Sequence, residues 1–320
     1  MRRRISPERY AQIALVSAIG LAVVVLTGAG VRLTDSGLGC PDWPRCEGQV
    51  VPPLSVNALI EFGNRIFSAL VGIAAVAAFV GAWMRDPRDR GIIWLSALPP
   101  IGAAAQGGVG AFVVSNHLTP ALVMLHFGLS MLILVPAIAL VWRARTPPER
   151  RGRPGDPLMI WTTRAAMALG GVTLFAGTVA TAAGPHAGAD DDHQVVQRLD
   201  FRGGDTLEWA IHRHALIAVA LGLTVILAWW LARKRGGSTQ LVETLTLSGI
   251  LMAAQGLLGS VQYGLGLPAD MVWAHVALAT GNWIVLLWAV ATAGRPSRAA
   301  SRAGAGHASR QGLGRAAETR

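Results

Sequence analysis

The sequence predicts an all-α integral membrane protein with eight transmembrane helices, arranged as two pseudo-twofold-related four-helix bundles. The first observation behind this prediction is the composition: 52% of the 320 residues are hydrophobic and only 14% are charged. The second is that the charges cluster between long apolar segments, and the third is an internal repeat. A soluble chain of this length would form about two domains and would need a larger charged surface.

Eight apolar segments are long enough to cross a bilayer, whose hydrocarbon core requires about 20 residues of helix. They lie at roughly 11–31, 58–83, 92–114, 119–142, 159–182, 208–232, 241–264 and 270–293. None has the alternation typical of a membrane barrel strand, so helices are predicted. The first segment is longer than the apolar part of a signal peptide and has no small-residue cleavage site after it, which favours a span.

The distribution of charge predicts the orientation of these helices. Of the 28 Lys and Arg residues, 22 lie near the chain ends or in alternate connections, on one side of the predicted membrane. The positive-inside rule makes that side the cytoplasm and places both termini there. The formal net charge of +10 is then explained by topology and by contact with anionic membrane lipid. No basic patch interleaved with aromatic residues is present, which argues against nucleic-acid binding.

Four landmarks recur in the second half of the chain at a nearly constant offset. The pairs are Gly28 and Gly177, Arg65 and Arg213, Gln106 and Gln255, and His126 and His275. The offset is 149 residues for three pairs and 148 for the Arg pair. Because four helices separate the equivalents, both halves would have the same direction in the membrane.

The repeat defines the predicted domain boundaries. Residues 1–142 form the N-terminal bundle, which includes an outer loop at 32–57. A basic cytoplasmic linker at 143–157, rich in Pro and Gly, leads to the C-terminal bundle at 158–293. Residues 294–320 are low in complexity and are predicted to be a disordered cytoplasmic tail.

Three histidines lie near the outer ends of predicted helices, each within about 10 Å of that face at 1.5 Å per residue. His212 and His275 occupy the second and fourth helices of the C-terminal bundle, where facing imidazoles suit the two axial positions of a haem. The alternative is that each imidazole hydrogen-bonds to a neighbouring helix. In the N-terminal half His126 matches His275, but Asn64 stands where His212 would be matched. That half therefore has a single imidazole.

Charged side chains accompany these positions. Arg65 follows Asn64, and Arg213 follows His212. Both are candidates for pairing with haem propionates. The alternative is that their side chains snorkel to the membrane interface. Glu61 lies one helical turn from Asn64 and is a candidate for proton transfer, or else a solvated interfacial carboxylate.

The chain contains two cysteines, Cys40 and Cys46, both in the predicted outer loop after the first span. An even number of cysteines outside the cytoplasm favours a disulfide. The more specific alternative is a redox role, in which the cysteine pair accepts or donates electrons. A metal site is disfavoured because no histidine lies between them.

Six segments contain most of these residues: VRLTDSGLGCPDWPRCEG, EFGNR, QGGVG, TPALVMLHFGL, IHRHA and QGLLGSVQYGLGLPADMVWAH. Together they resemble the haem A synthase family, in its bacterial form with a cysteine pair in the first outer loop, over residues 11–293. The resemblance implies a multi-pass oxidoreductase of the bacterial cell membrane that converts the C8 methyl group of haem O to the formyl group of haem A. It also implies a disulfide between Cys40 and Cys46, and as partners a haem O synthase and the assembly of terminal oxidases.

The resemblance further implies roles for the site residues. His212 and His275 would bind the iron of a haem b cofactor, and His126 would bind the iron of the substrate, haem O. Glu61 would be the catalytic carboxylate beside that substrate.

The sequence departs from the family pattern at Asn64, where many members have His. We hypothesise that His126 alone leaves one iron position open for oxygen activation beside Glu61. The missing ligand would otherwise come from His117 or His186 in an outer loop.

Three other classes of protein fit the sequence less well. A b-type cytochrome acting only in electron transfer would need complete ligand pairs across the bilayer, whereas all candidate ligands lie near one face. A transporter would have polar groups at the membrane midplane, and a thiol oxidoreductase would have a Cys-x-x-Cys motif or a second cysteine pair. The oligomeric state is left open, including a homo-oligomer.

Overall fold

A computed structural model of the chain describes residues 4–189 and 196–296. Within these residues there are eight long α-helices: α1 Pro7–Leu33, α2 Val56–Met84, α3 Arg90–Ser115, α4 Pro120–Arg145, α5 Pro157–Ala183, α6 Thr206–Lys234, α7 Thr239–Gly264 and α8 Ala269–Ala293. Each is long and apolar enough to cross a membrane. This confirms the prediction of an all-α, multi-pass membrane protein with eight spans. Most of the predicted tail, residues 297–320, lies outside the described residues.

The helices begin where the sequence supplies a cap. Ser6 accepts a hydrogen bond from the backbone N–H of Arg9 at the start of α1, and Asp156 accepts one from Met159 at the start of α5. Proline occupies the first position of α1, α4 and α5, where its missing N–H costs nothing. Because these caps adjoin the apolar segments, the observed bounds lie within a few residues of the predicted ones.

Between α4 and α5 the linker forms a short turn, Pro148–Arg150, and a two-residue strand, β1 (Pro154–Gly155). This strand pairs in parallel with β2 (Arg295–Pro296), directly after α8. A second short turn, Gly203–Asp205, precedes α6.

The helices form two groups of four. In the first group α1 packs on α2, α2 on α3, α3 on α4, and α4 returns to α1; α5 to α8 repeat this order. The groups meet where α8 packs on α1 and α4, with Trp283 Nε1 donating to the Met131 carbonyl at 2.9 Å. Many large apolar side chains elsewhere point outward, as lipid contact requires. The division into two domains, the pseudo-twofold relation and the cytoplasmic termini stay predictions.

The buried faces of α2 and α6 match at an offset of 150 residues. Val71 corresponds to Leu221, Ala75 to Val225, Ala78 to Ala228 and Ala82 to Ala232, and all eight are buried. This offset is two residues larger than the one that paired Arg65 with Arg213. In the structure, Asn64 therefore corresponds to His214 rather than to His212.

A partly buried carboxylate, Asp89, connects α3 to α4 and to the linker at the predicted cytoplasmic face. Asp89 caps α3 by accepting from the backbone N–H of Gly91, and its oxygens also accept from Arg143 and Arg151. Partial burial acts to raise the pKa of Asp89, but the hydrogen bonds from the two guanidinium groups outweigh it and lower the pKa to about 2. Ionised Asp89 therefore stabilises this end of the bundle.

Replacing Asp89 with Asn keeps the helix cap and removes the charge. We expect Asp89→Asn to lower the free energy of unfolding by about 1–3 kcal/mol at pH 7, because two arginines lose their ion-pair partner. Since the folded pKa lies below the ordinary value near 3.8, this stabilisation is present above about pH 4 and is lost as the pH falls toward 2. Thermal unfolding in detergent, followed by circular dichroism, measures the difference.

The matched control is Asp86→Asn. Asp86 also pairs with an arginine, Arg4, but the two side chains are 49% and 76% exposed. An exposed pair contributes little, so the expected change is below about 0.5 kcal/mol. Equal effects of the two substitutions would contradict a stabilising role for the Asp89 cluster.

Candidate functional site

The loop between α1 and α2, which the sequence predicts to be an outer loop, is folded onto the N-terminal end of α2. Cys40 and Cys46 form a disulfide, as predicted, and both residues are fully buried. A Cβ atom at Gly39 would collide with the backbone of Asn57, so only glycine permits this close approach. The loop therefore forms a lid of fixed shape over the start of α2.

Glu61 and Arg65 lie beneath this loop, one turn apart on α2. Glu61 is only 5% exposed. Its Oε2 accepts the backbone N–H of Cys40 at 2.7 Å, and its Oε1 accepts Nη2 of Arg65 at 2.5 Å. The remaining donors of the Arg65 Nη atoms point to loop carbonyl groups. Both oxygens of the carboxylate are thus occupied, which holds it in one orientation.

Asn64 and His126 are placed across the first group of helices, on α2 and α4. The Asn64 Oδ1 accepts the hydroxyl of Thr27 at 2.7 Å. His126 is half-buried, and its Nδ1 is buried without a hydrogen-bond partner among the described residues. Beside its ring stands Gly110, which has no side chain to fill the space at Cε1.

In the second group the structure brings His214 and His275 together. Their ring centres are 6.2 Å apart, from α6 and α8. The Nδ1 atom of His214 lies 3.1 Å from the Thr173 carbonyl of α5, which orients the ring. Gly177 and Gly259 flank the two imidazoles, since a Cβ at either position would lie 3.1–3.2 Å from a ring atom.

His212, the ligand expected from sequence, occupies another face of α6. It is exposed, and its ring centre lies 6.4 Å from that of Tyr263. Two residues along a helix rotate a side chain by about 200°, so His212 and His214 cannot both face α8. Arg213 is also exposed and stacks over Trp209 at 5.7 Å. Tyr263 lines a cavity of about 510 Å³ between the end of α5, the start of α6 and the end of α7, together with Arg198 and Leu207.

His214 is not among the ligands predicted from the sequence, because the pair of Arg65 and Arg213 aligns α2 with α6 at an offset of 148 residues. Gly72 and Gly222 are 150 residues apart, which is the same offset as that between the buried faces of α2 and α6. An alignment on these two glycines would have matched Asn64 with His214.

A glutamine supports the histidine of α4 and of α8 in the same way. Gln106 Nε2 donates to the His126 carbonyl at 2.8 Å, and Gln255 Nε2 donates to the His275 carbonyl at 3.0 Å. In both cases the glutamine Oε1 and the histidine Nδ1 are buried without a protein partner among the described residues. The two halves therefore present equivalent polar sites, which is consistent with the predicted repeat.

The donor set of the second half fits a haem. Two imidazoles bound to one iron have ring centres roughly 6 Å apart, given a metal–nitrogen bond of about 2 Å on each side. The observed 6.2 Å agrees with that value. Within the described ranges no group of three or more His, Cys, Asp or Glu side chains is present that could hold a bare metal ion. In the first half the matching positions are Asn64 and His126, of which only His126 has an imidazole. The first half therefore has one potential iron ligand where the second half has two.

The two loop histidines have separate positions. His117 is exposed at the turn after α3. The His186 Nε2 lies 2.8 Å from the Leu267 carbonyl, and its own carbonyl accepts Nε of Arg32. His186 thus links the ends of α1 and α5 to the loop between α7 and α8. The hydrogen bonds of the described residues connect neither His117 nor His186 to His126.

The fold and the histidine sites define a multi-pass membrane protein with two equivalent polar sites, one of them suited to a bound haem. Residues 11–190 match the family described as cytochrome oxidase assembly protein. The chain belongs to this family.

Curated relatives agree with this assignment. A protein named Heme A synthase from Symbiobacterium thermophilum is 30% identical over 293 residues, which cover 86% of this chain and 92% of the relative. One of the same name from Halalkalibacterium halodurans is 31% identical over 147 residues, covering 45% and 48% of the two chains. One from Alkalihalophilus pseudofirmus is 35% identical over 128 residues, covering 39% and 43%.

Proposed function

We propose that the protein is a haem A synthase, an enzyme of haem A biosynthesis that oxidises the C8 methyl group of haem O to a formyl group through successive hydroxylations. Each of the two hydroxylations is a two-electron oxidation and requires an external oxidant such as dioxygen, and the resulting geminal diol loses water to give the formyl group. The observation that carries this proposal is the difference between the two halves. One half has two neighbouring imidazoles, His214 and His275. The other has one, His126, together with Asn64 at the position of His214 and a buried carboxylate, Glu61, one turn from Asn64 on α2. A resident cofactor in one half and a substrate in the other would account for this asymmetry.

In the second half, His214 and His275 are the residues that would hold the iron of a haem b cofactor. This replaces the pair of His212 and His275 expected from sequence, because His214 is the α6 histidine next to the ring of His275. Bound there, a b-type haem supplies one-electron transfer. Gln255 holds the backbone at His275, and the Thr173 carbonyl sets the orientation of His214. Arg213 stays the candidate partner for a propionate.

In the first half, haem O is the proposed substrate, with His126 as its protein ligand. Asn64 is engaged with Thr27 and is a poor iron ligand, so the substrate would have one imidazole. Glu61 is the proposed group for proton transfer. Its orientation is determined by Arg65 and by the Cys40 N–H, so the carboxylate needs no rearrangement before it acts.

The family description and the names of the relatives support a cellular role. Haem O would come from a haem O synthase, and haem A would be delivered for the assembly of terminal oxidases. Both haems are apolar enough to partition into the bilayer, so a multi-pass enzyme can exchange them within the membrane.

The test is expression of the protein in a bacterial host that makes haem O but not haem A. We expect the extracted haems, separated by chromatography, to include haem A or its hydroxylated intermediate, and cells with the empty vector to have neither. A host with abundant membrane-inserted protein but unchanged haem O would contradict the proposed reaction.

A further inference from the structure

Arg65 has an unusual set of partners for a candidate propionate ligand. Its Nη1 donates to the carbonyl groups of Asp42 at 2.9 Å and Arg45 at 3.1 Å. Its Nη2 donates to the carbonyl of Cys40 at 3.0 Å and to Glu61 Oε1. These four bonds use all four hydrogens of the two Nη atoms. The side chain is only 16% exposed, so the guanidinium is a buried part of the loop structure.

Glu61 and Arg65 together hold the peptide groups on both sides of Cys40. The carboxylate accepts the Cys40 N–H, and the guanidinium binds the Cys40 carbonyl. Cys40 is also the first cysteine of the disulfide. Carboxylate, guanidinium and disulfide loop therefore form one connected unit in which each member restricts the others.

Among residues 4–189 and 196–296, Arg213 has no comparable set of hydrogen-bond partners. It is exposed and stacks on Trp209, and the offset of 150 residues places Ala215, not Arg213, at the position of Arg65 on α6. The partners of Arg65 are therefore specific to the half that contains Glu61.

We propose that Arg65 is a positioning residue: it holds the Cys40–Cys46 loop on α2 and thereby keeps the Glu61 carboxylate in its working orientation. The role of Arg65 in positioning Glu61 rests on the proposed function. Its role in holding the Cys40–Cys46 loop, which we call the clamp, does not. Haem propionates are not the partner of Arg65. Loss of its four bonds frees the loop to open and exposes the disulfide.

The experiment compares Arg65→Gln and Arg65→Lys in the full-length protein purified in detergent with the disulfide intact. The rate of Cys40–Cys46 reduction by a phosphine is followed by alkylation and mass spectrometry. We expect Arg65→Gln to speed reduction by about tenfold or more, because local opening no longer breaks charge-assisted bonds. Arg65→Lys keeps a charge and three donors, so its rate should fall between those of Arg65→Gln and the unsubstituted protein. The control is Arg202→Gln, an exposed outer arginine above Trp209, whose rate should not change.

Haem b content and haem A production are measured on the same variants. We expect haem b to be retained, since the second half is untouched, and haem A production to fall in the order unsubstituted protein, Arg65→Lys, Arg65→Gln. An unchanged reduction rate in Arg65→Gln overturns the clamp. Faster reduction with undiminished haem A overturns the role of Arg65 in positioning Glu61. Should Arg65→Gln fail to accumulate, the rate of Arg65→Lys decides, and a rate equal to that of the unsubstituted protein overturns the proposal. If the unsubstituted protein makes no haem A, the proposed function fails while the reduction rates still test the clamp.

Discussion

Protein purified with His275 replaced by alanine should contain no haem b. The His275 ring of α8 lies 6.2 Å from that of His214, and these two imidazoles would hold the iron together, so the substitution would remove the ligand that α8 supplies. Loss of a protein ligand weakens haem retention enough that the cofactor should be missing after detergent extraction. Optical spectra of the reduced protein and the pyridine haemochrome assay measure the haem content per chain.

The matched comparison lies on α6, where two histidines are separated by one residue. We expect His214→Ala to lose haem b as His275→Ala does, and His212→Ala to retain it, because His212 is exposed on a different face of the helix. The opposite outcome, in which His212→Ala loses the haem and His214→Ala keeps it, would reject the ligand pair that we propose. Insertion of all variants is checked by the yield of membrane protein after size-exclusion chromatography.

Glu61→Gln should lower haem A formation by about a hundredfold or more while haem b is retained. Glutamine has almost the same shape and still accepts the Cys40 N–H, but it cannot take up and release a proton at neutral pH. Proton transfer by a positioned side chain typically contributes a factor of about 10² to 10⁴ to the rate. The measurement is the ratio of haem A and hydroxylated haem O to haem O in extracts of cells with equal amounts of each protein.

The control is Glu208→Gln, because Glu208 is an exposed carboxylate in the first turn of α6 and has no part in the proposed site. Its haem A formation should equal that of the unsubstituted protein. The disulfide reduction rate of Glu61→Gln is recorded as well, since Arg65 loses its charged partner. Full haem A formation by Glu61→Gln would remove this residue from the reaction.

The eight spans and their bounds follow directly from the sequence. The segment predicted at 208–232 is α6, Thr206–Lys234, and the one predicted at 270–293 is α8, Ala269–Ala293. The bilayer has one thickness and no water to satisfy a free backbone, so an apolar run of sufficient length has a single structural solution. The disulfide could also be predicted from the sequence, because the two cysteines of the chain lie in one predicted outer loop with five residues between them.

Only the tertiary structure brings His214 next to His275 and determines the partners of Arg65. Hydropathy predicts that α6 crosses the membrane, but it does not indicate which of His212 and His214 faces α8. A helix exposed to lipid on several sides is apolar all round, so its sequence pattern does not mark the face that packs on other helices. The rotation of α6 is set by its packing on α5 and α7, and it turns His214 toward His275. Likewise, the carbonyl groups that Arg65 binds lie 20 to 25 residues away. The loop between α1 and α2 brings these carbonyl groups to Arg65. This loop has no regular secondary structure, so no periodicity in the sequence predicts its conformation.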